Sequence, residues 1–260
     1  MARADALPPD IAPSATKHDI QENRGMMQRQ HLIFDADDTL WENNIHFEQA
    51  IEDFMDFLAH ATLSREDVRA VIDEIELANL RTHGYGSAAF SRNLRQAYEH
   101  LAEREIAPDD LQTVMAFGER ILSQPIELID GVEETLAQLA DHHDLTLMTK
   151  GQREEQQLKI DRSGLNDYFR HAEVVPEKDP AAYRGLVARL GFDPRRTWMI
   201  GNSLKSDINP ALAIGLNAVF IPHHATWRLE HQELAAENVP GQLLTLERFR
   251  ELLLHFLNLR

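Results

Sequence analysis

The first clear pattern in the chain is a short apolar run that stops at acidic residues. Residues 31–34 read His-Leu-Ile-Phe and are followed at once by Asp35, Ala36 and Asp37. A continuous apolar run of this length is typical of a strand that is buried on both faces of a parallel sheet. The pattern therefore predicts a buried first strand whose carboxyl end opens into a polar site.

Four amphipathic stretches follow, with little strand signal between them. Ser64 is placed to cap the second stretch, with Asp67 three residues further on, and Pro108 is placed to start the fourth. The apolar residues recur at helical spacing, and the four stripes are Phe47, Ile51, Phe54 and Leu58; Val68, Val71, Ile72, Ile75 and Ala78; Phe90, Leu94, Ala97, Tyr98 and Leu101; and Leu111, Val114, Met115, Ile121 and Leu122. Residues 44–125 are therefore predicted to form an insert of four helices.

After Pro125 the pattern changes to an alternation of strands and helices. The predicted strands are 145–148, 171–175, 197–200 and 217–221, and the predicted helices are 131–142, 153–163, 180–190, 206–214 and 246–257, the last capped by Thr245. Repeated strand–helix units imply a parallel sheet with helices on both faces. We expect an α/β fold, a doubly wound parallel sheet built from residues 30–43 and 126–260, with the all-helical insert between these two parts.

The amino-terminal residues 1–29 show no apolar periodicity. They include three prolines and lack the apolar stretch of about 7–15 residues that a secretory signal needs. We expect a disordered tail here. Met26 and Met27, just before the first strand, leave open whether translation begins there.

Charge and composition exclude several classes of function. The chain has 26 Lys and Arg against 43 Asp and Glu, a formal net charge of -17. Binding to nucleic acid or to an anionic membrane surface requires a basic patch, so neither partner is expected. The absence of cysteine excludes disulfides, thiolate metal sites and a cysteine nucleophile. An anionic substrate would need local neutralisation by a metal ion or a lysine.

Polar residues of complementary chemistry follow four of the predicted strands. Ligands of open parallel sheets bind at the carboxyl ends of the strands. Each strand end alone is weak evidence for a site, because threonine and glycine are common in turns and a lysine before a helix is usually solvated. Together they indicate one site, formed by Asp35 and Asp37, Thr149, Lys178, and Asn202 with Asp207.

In order and spacing, these motifs resemble those of the haloacid dehalogenase superfamily over residues 31–222. The four stretches that carry the resemblance are Asp35-x-Asp37-x-Thr39, Thr149, Lys178 and Gly201-Asn202-Ser203-x-x-x-Asp207. The helical insert lies where this family carries its C1 cap. The resemblance implies a Rossmannoid catalytic core and a cap that selects the substrate.

The resemblance also implies a role for each catalytic residue. Asp35 would be the nucleophile that forms an aspartyl-phosphate, and Asp37 would protonate the leaving oxygen and later deprotonate a water. Thr149 would hydrogen-bond a phosphoryl oxygen, and Lys178 would offset the charge of the transferring group. Since the dehalogenase branch has an aromatic residue in place of the second acid, Asp37 indicates phosphate-ester hydrolysis.

A Mg²⁺ ion is the cofactor that the resemblance implies. Its ligands would be Asp35, the backbone carbonyl of Asp37, and the fourth motif with Asn202 and Asp207. In the family the fourth motif often begins Gly-Asp, whereas this chain has Gly201-Asn202. An amide oxygen can still bind the ion but carries no full charge, so we expect weaker Mg²⁺ binding.

The expected substrate is a small phosphomonoester, a phosphorylated metabolite of the nucleotide or sugar class that is handled in the cytoplasm. The insert and the fourth motif resemble the branch that contains pyrimidine nucleotidases and related phosphatases. The backbone N–H of Lys150 or Gly151 is expected to bind the phosphate.

The geometry of four antiparallel helices brings the connection 81–87 back to the sheet. His83 and Tyr85 could contact the leaving group there, although a plain helix–helix loop with glycine caps explains the same residues. Asn43, in the hinge between the sheet and the insert, is a further candidate for the pocket wall.

Two other functions stay open on the sequence. One is a 2-haloacid dehalogenase, against which Asp37 argues. The other is a binding or regulatory protein with weakened catalysis, for which Asn202 is the first sign. A metal site at His223, His224 and His231 is not favoured, because neighbouring histidines do not easily share one ion.

Overall fold

The computed structural model describes residues 28–235 and 240–257. Within them, six parallel strands form one sheet in the order β3-β2-β1-β4-β5-β6. The strands are β1 His31–Phe34, β2 Asp144–Lys150, β3 His171–Val175, β4 Thr197–Gly201, β5 Asn217–Phe220 and β6 Leu243–Thr245. The predicted α/β class with a parallel sheet is therefore confirmed.

Helices cover both faces of this sheet, because successive side chains of a strand point to opposite faces. On one face, Phe34 packs with α5 (Val132–His142), α6 (Arg153–Ser163) and α9 (Leu252–Phe256). On the other face, Ile33 packs with α7 (Pro180–Leu190) and α8 (Asn209–Leu212). The sheet is therefore doubly wound, and every one of its central side chains is buried.

The register of the strands brings their carboxyl ends to the same level. Phe34, the last residue of β1, lies opposite Leu147 of β2 and Ile200 of β4. The residues that follow these positions therefore meet at one edge of the sheet. This edge faces the helical insert.

The insert consists of α1 (Asn44–Leu58), α2 (Arg65–His83), α3 (Ser87–Leu101) and α4 (Pro108–Glu119), at the positions of the four apolar stripes. It has an apolar core of its own, to which each helix contributes a fully buried residue: Phe54, Ile72, Leu94 and Val114. Ser64 and Asp67 form the predicted capping box at the start of α2. The insert thus has its own reason to fold, separate from the sheet.

Two predicted helices are wrong in detail. The stretch predicted as a helix over 206–214 begins as a π-helical turn, Leu204–Ile208, and continues as α8. The predicted helix 246–257 is shorter, with a 3₁₀ turn at Phe249–Glu251 before α9. Thr245 is the last residue of β6 and caps no helix, because backbone pairing with β5 takes precedence over capping.

The predicted tail lies almost entirely outside the described residues, since residues 1–27 are not described. Arg29, at its end, is described, and its guanidinium donates to the Asp144 carboxylate at 2.9 Å. This contact attaches residue 29 to the start of β2. Among the described helices, none combines the length and the apolar character that crossing a bilayer requires.

Candidate active site

A cavity lies between the carboxyl edge of the sheet and the insert. All four residues predicted as catalytic line it, and so do both predicted fourth-motif ligands. Asp35 and Asp37 follow β1, Thr149 ends β2 and Lys178 follows β3, so neighbouring strands bring them together. The convergence of strand ends that the sequence predicted is therefore present.

The Asp35 carboxylate is held from two sides at the floor of the cavity. Its Oδ2 accepts a hydrogen bond from the Thr39 hydroxyl at 3.0 Å, and its Oδ1 accepts one from the Lys178 ammonium. The backbone N–H of Asp35 donates to the carbonyl of Ile200 at 2.9 Å. These contacts fix the orientation of the carboxylate, as the attack of a nucleophile on a bound substrate requires.

Lys178 lies between two carboxylates and is only 3% exposed. Its ammonium donates to Asp35 and, at 2.8 Å, to Asp207. Burial favours the neutral amine, but the charges of Asp207 and Asp35 outweigh burial and raise the pKa of Lys178 above its ordinary value. A permanent positive charge therefore lies beside the candidate nucleophile.

Asp207 is enclosed by the fourth motif and by Lys178. Its second oxygen accepts a hydrogen bond from the backbone N–H of Ser203 at 3.0 Å. A Cβ atom at Gly201 would overlap with the Asp207 carboxylate, so glycine at this position makes room for it. Burial, together with the negative charge of Asp35, raises the pKa of Asp207, against the opposing effect of Lys178.

Asp37 is bound by three donors from outside the first motif strand. The Trp41 indole N–H donates at 2.7 Å and the Gln156 amide at 2.9 Å. The Lys159 ammonium donates to both carboxylate oxygens, at 3.0 and 2.8 Å, and also to the Asn43 side-chain oxygen at 2.8 Å. Asn43 therefore lies at the cavity as predicted, but as part of the Asp37 environment.

The surroundings of Asp37 favour its ionised form. Burial alone would raise the pKa, but the charge of Lys159 and the hydrogen bonds from Lys159, Gln156 and Trp41 hold the pKa of Asp37 below its ordinary value. In this arrangement the group is ready to accept a proton. To donate one, it must first be protonated and lose at least one of these donors.

The oxygen donors at the cavity floor fit a Mg²⁺ ion, which prefers carboxylate and carbonyl oxygens. The Thr39 hydroxyl lies 3.0 Å from Asp35 Oδ2 and 3.2 Å from Asn202 Oδ1, so these two oxygens face a common point. The Asn202 amide N–H donates to Thr226 at 3.2 Å, which fixes the side-chain oxygen toward Asp35. Asp207 is 1% exposed, against 7% for both Asp35 and Asn202, so Asp35 and Asn202 are the more accessible ligands.

The predicted phosphate contacts at the end of β2 are present only in part. Thr149 lines the cavity and is 1% exposed. The backbone N–H of Gly151 donates to the carbonyl of Val175 at 3.0 Å, so it is taken by the β2–β3 ladder and is not available to a phosphate. Lys150 lines the cavity with a side chain that donates to Ser206 at 2.8 Å and to Glu230.

The connection between α2 and α3 reaches the sheet, as the four-helix geometry predicted. The Tyr85 ring lies 4.5 Å from the Lys150 ammonium, and its hydroxyl donates to Glu177. Gly84 and Gly86, with φ of 68° and 103°, let the chain turn on both sides of Tyr85. His83 ends α2 with an exposed side chain and is not among the cavity residues, which corrects its predicted place in the pocket.

The sequence prediction missed several polar residues of the site, among them Glu230, Gln156 and Lys159. Glu230 accepts hydrogen bonds from Lys150, Ser203 and Ser206, but it lies in an irregular segment after β5 that has no periodic pattern. Gln156 and Lys159 did carry a signal. Helix α6 has only two apolar residues, so its buried polar side chains must serve a purpose other than packing the core.

His223 is accounted for by contacts within its own part of the fold. Its Nδ1 accepts a hydrogen bond from the backbone N–H of Ala225, and its Nε2 lies 3.1 Å from the Glu42 carboxylate. Burial lowers the pKa of His223, which favours the neutral ring. His224 adjoins this pair, and one ligand atom from each of Glu42, His223 and His224 lies within 4.8 Å of the other two.

The model of the haloacid dehalogenase-like hydrolase family matches residues 30–215 of the chain. The chain therefore belongs to the haloacid dehalogenase-like hydrolases. A solved structure of a haloacid dehalogenase-like family hydrolase from Xanthomonas campestris has a TM-score of 0.71 and 32% identity, over 86% of this chain and 92% of that one. YfnB from Bacillus subtilis, a HAD-hydrolase solved with magnesium, has a TM-score of 0.61 and 20% identity, over 89% of this chain and 100% of that one.

Two curated relatives are phosphatases. Glyceraldehyde 3-phosphate phosphatase from Pyrococcus furiosus is 29% identical over 46% of this chain, and the match spans about half, 55%, of that enzyme. N-acylneuraminate-9-phosphatase from Mus musculus is 22% identical over 75% of this chain and 82% of that enzyme. Together with the family, these relatives support a hydrolase of the phosphatase type.

Proposed function

We propose that the protein hydrolyses a small phosphomonoester with the help of Mg²⁺, through a phosphoryl group carried by Asp35. The observation that carries the proposal is the surroundings of Asp35. A carboxylate that is fixed by Thr39 lies beside the permanent positive charge of Lys178, at the point where three neighbouring strands end. This combination supplies a nucleophile and charge neutralisation in one place.

In the first step, a carboxylate oxygen of Asp35 attacks the phosphorus atom. The bond from phosphorus to the leaving oxygen breaks, and that oxygen keeps the bonding electron pair. Asp37 in its protonated form gives its proton to this oxygen, so the product leaves as an alcohol. Lys178 and the Thr149 hydroxyl are placed to stabilise the charge on the phosphoryl oxygens.

In the second step, water attacks the phosphorus of the aspartyl-phosphate. The Asp37 carboxylate, which became ionised in the first step, accepts a proton from this water. The bond from phosphorus to Asp35 breaks, and inorganic phosphate leaves with Asp35 again a carboxylate. Lys159 and Gln156 stabilise the carboxylate that the first step leaves on Asp37, so Asp37 enters the second step in its ionised form.

Mg²⁺, when bound, supplies positive charge that draws the anionic phosphoryl group toward Asp35. Asp35 and Asn202 would hold it, with the backbone carbonyl of Asp37, and Asp207 would add negative charge nearby. Asn202 contributes an oxygen without a charge. Lys178 therefore carries a larger share of the neutralisation than a fourth motif with two carboxylates would leave to it.

The names of the curated relatives support a small phosphorylated metabolite of the sugar class as the substrate of this chain. The nucleotide class rests on the resemblance of the insert and the fourth motif alone. We infer from the net charge of -17 that neither nucleic acid nor a membrane surface is a partner. A metabolite of this kind would be met in the cytoplasm.

Turnover of p-nitrophenyl phosphate with and without Mg²⁺ tests the proposal. The wild-type protein should release p-nitrophenol only with the metal, and Asp35→Asn should lower turnover by several powers of ten, because the nucleophile is lost. Asp141→Asn, at an exposed position of α5, is the matched control and should leave turnover unchanged. An Asp35→Asn protein that keeps more than about a tenth of wild-type turnover would exclude Asp35 as the nucleophile. Halide release from 2-chloropropionate should be absent.

A further inference from the structure

Glu76 is a buried carboxylate in the cavity wall that the catalytic steps do not use. It lies on α2 in the insert, lines the cavity and is 7% exposed. Its Oε2 is enclosed and has no hydrogen-bond partner among residues 28–235 and 240–257. A buried carboxylate oxygen without a donor is costly and rare, and it indicates that something absent from the bare protein completes it.

The neighbours of Glu76 do not neutralise it. Arg69, about two turns earlier on α2, donates to Glu48 and Asp73. Burial, followed by the negative charge of Asp73, raises the pKa of Glu76 to about 7, with only partial relief from the Trp227 indole and Arg69. A donor from a bound molecule would stabilise this carboxylate more than any group around it does.

The rest of the cavity wall, from the insert and from Trp227 in the segment after β5, suits a polyhydroxylated molecule. Two aromatic pairs line it, Phe47 with Phe90 at 5.0 Å and Tyr85 with Trp227 at 6.1 Å between ring centroids. Aromatic rings beside hydrogen-bonding groups bind molecules with an apolar face and polar edges. The Asn93 side-chain oxygen accepts from Asn79, which leaves its own amide N–H groups for a ligand.

The charges of the cavity argue against a leaving group with a negative charge. Eight carboxylates line the cavity and only three lysines. Each of these lysines is already bonded to a carboxylate: Lys150 to Glu230, Lys159 to Asp37 and Lys178 to Asp35. The described cavity wall therefore offers a carboxylate or a second phosphate no unpaired cation, whereas a hydroxyl or an ammonium finds acceptors.

We propose that Glu76 determines substrate specificity by accepting a hydrogen bond from the leaving group, and that the pocket selects polyhydroxylated leaving groups without negative charge. This inference rests on the proposed phosphatase function and narrows its substrate class. The hydroxyls of a sugar or polyol phosphate are the donors that fit best, and an amino sugar offers the same chemistry through its ammonium.

The test compares phosphomonoesters that differ in one charged group. The pairs are glycerol 3-phosphate with 3-phosphoglycerate and glucose 6-phosphate with 6-phosphogluconate. The wild-type protein should prefer the uncharged leaving group of each pair by at least about tenfold in kcat/KM, since a buried like charge is strongly disfavoured. Glucosamine 6-phosphate separates the two donors: a kcat/KM above that of glucose 6-phosphate assigns the ammonium, and one below it assigns a hydroxyl.

Glu76→Gln tests the residue itself, because it keeps the shape of the side chain and removes the charge. At pH 8, above the pKa of about 7 that burial gives Glu76, the preference for the uncharged member of each pair should fall by about tenfold. The reason is that an amide can donate to a carboxylate that the ionised Glu76 repels. Glu74→Gln is the matched control on the same helix, at an exposed position, and should leave the preference unchanged.

The outcomes separate this inference from the proposed function. Absence of p-nitrophenyl phosphate turnover in the wild-type protein would overturn the phosphatase itself. If p-nitrophenyl phosphate is turned over normally, the phosphatase function stands, and any of three further results would contradict the role of Glu76 alone. These are a wild-type preference for the carboxylated members, no turnover of either pair, and a preference that Glu76→Gln leaves unchanged.

Discussion

The two sides of the cavity differ in whether their buried carboxylates have hydrogen-bond donors within the protein. At the sheet edge, Lys178 lies between Asp35 and Asp207, so each charge has a partner before any substrate binds. On the insert side, the buried Glu76 keeps an oxygen without a donor. The ion pairs at the sheet edge are thus formed before a substrate binds, whereas Glu76 on the insert side obtains a donor only from a ligand.

This difference assigns catalysis to the sheet edge and recognition of the leaving group to the insert. Attack on phosphorus is the same for every phosphomonoester, so the groups that perform it can be balanced within the protein. The leaving group varies between substrates, and a group that recognises it gains most when its only good partner is the ligand. Glu76 has this property, and Asp35 does not.

Substitution of Lys159, at the sheet edge, is expected to have the largest effect on turnover. In Lys159→Met, the charge that favours ionised Asp37 is removed while burial remains, so the pKa of Asp37 should rise. The pH profile of kcat/KM should therefore move to higher pH, and turnover should fall by about tenfold or more because Asp37 loses its fixed position. Rates on p-nitrophenyl phosphate between pH 5 and 9 measure both effects.

Lys159→Arg is the control, since it keeps a positive charge beside Asp37 and should retain the wild-type profile. An unmoved profile in Lys159→Met would show that Lys159 does not control the protonation of Asp37. The balance of charges at the sheet edge would then be confined to Lys178 and its two carboxylates.

A smaller effect is expected at Asn202. Asn202→Asp adds a charge to an oxygen that already faces Asp35, so the Mg²⁺ concentration for half-maximal activity should fall severalfold. Thr226→Val is the control, because it removes the hydrogen bond from Asn202 to Thr226, which Asn202→Asp also removes, without adding a charge. It should not lower the Mg²⁺ requirement, so a fall seen only in Asn202→Asp is due to the added charge. If Asn202→Asp leaves the requirement unchanged or raises it, Asn202 is not a metal ligand.

The smallest expected effect is on the free energy of unfolding, and it tests Glu76 on the insert side of the cavity. The pKa of Glu76 is raised in the folded state to about 7 from an ordinary 4.5. Protonated Glu76 is therefore favoured by folding, and this contribution is lost as the pH rises toward and past 7. Glu76→Gln has no such loss, so at pH 8 its free energy of unfolding should exceed that of the wild type by about 1–3 kcal/mol.

Urea unfolding at pH 5 and pH 8 measures this difference, which should be much smaller at pH 5. Asp38, whose pKa burial also raises to about 7, is present in both proteins and cancels in the comparison. Equal stabilities of the two proteins at both values of pH would show that Glu76 has a donor after all.

The sequence predicted the sheet edge well because the residues of that side directly follow their strands in the sequence. Asp35 and Asp37 directly follow a run of buried residues, and strand ends meet by the general geometry of parallel sheets. The predicted helices of the insert were also confirmed, since their stripes had only to match a helical period. Short spacings within one element thus carried most of the fold.

The remaining parts depend on contacts between distant segments. Glu230 meets Lys150 across 80 positions of sequence, and Lys159 meets Asp37 across 122. No local pattern encodes such pairs. Strand β6, Leu243–Thr245, was not predicted, because it is only three residues long and its pairing with β5 is a property of the sheet. Gly151 shows the same limit, since its N–H is consumed by a neighbouring strand.

Gly201 has a consequence for how freely this sequence can change. The space of its missing side chain is filled by the Asp207 carboxylate, so any larger residue there would displace the group that Lys178 must face. Mutations at this position should be removed in any lineage that keeps the reaction, whatever compound it acts on. Substitutions around Glu76 meet no such barrier, so divergence toward new compounds would accumulate on the insert while the end of β4 stays as it is.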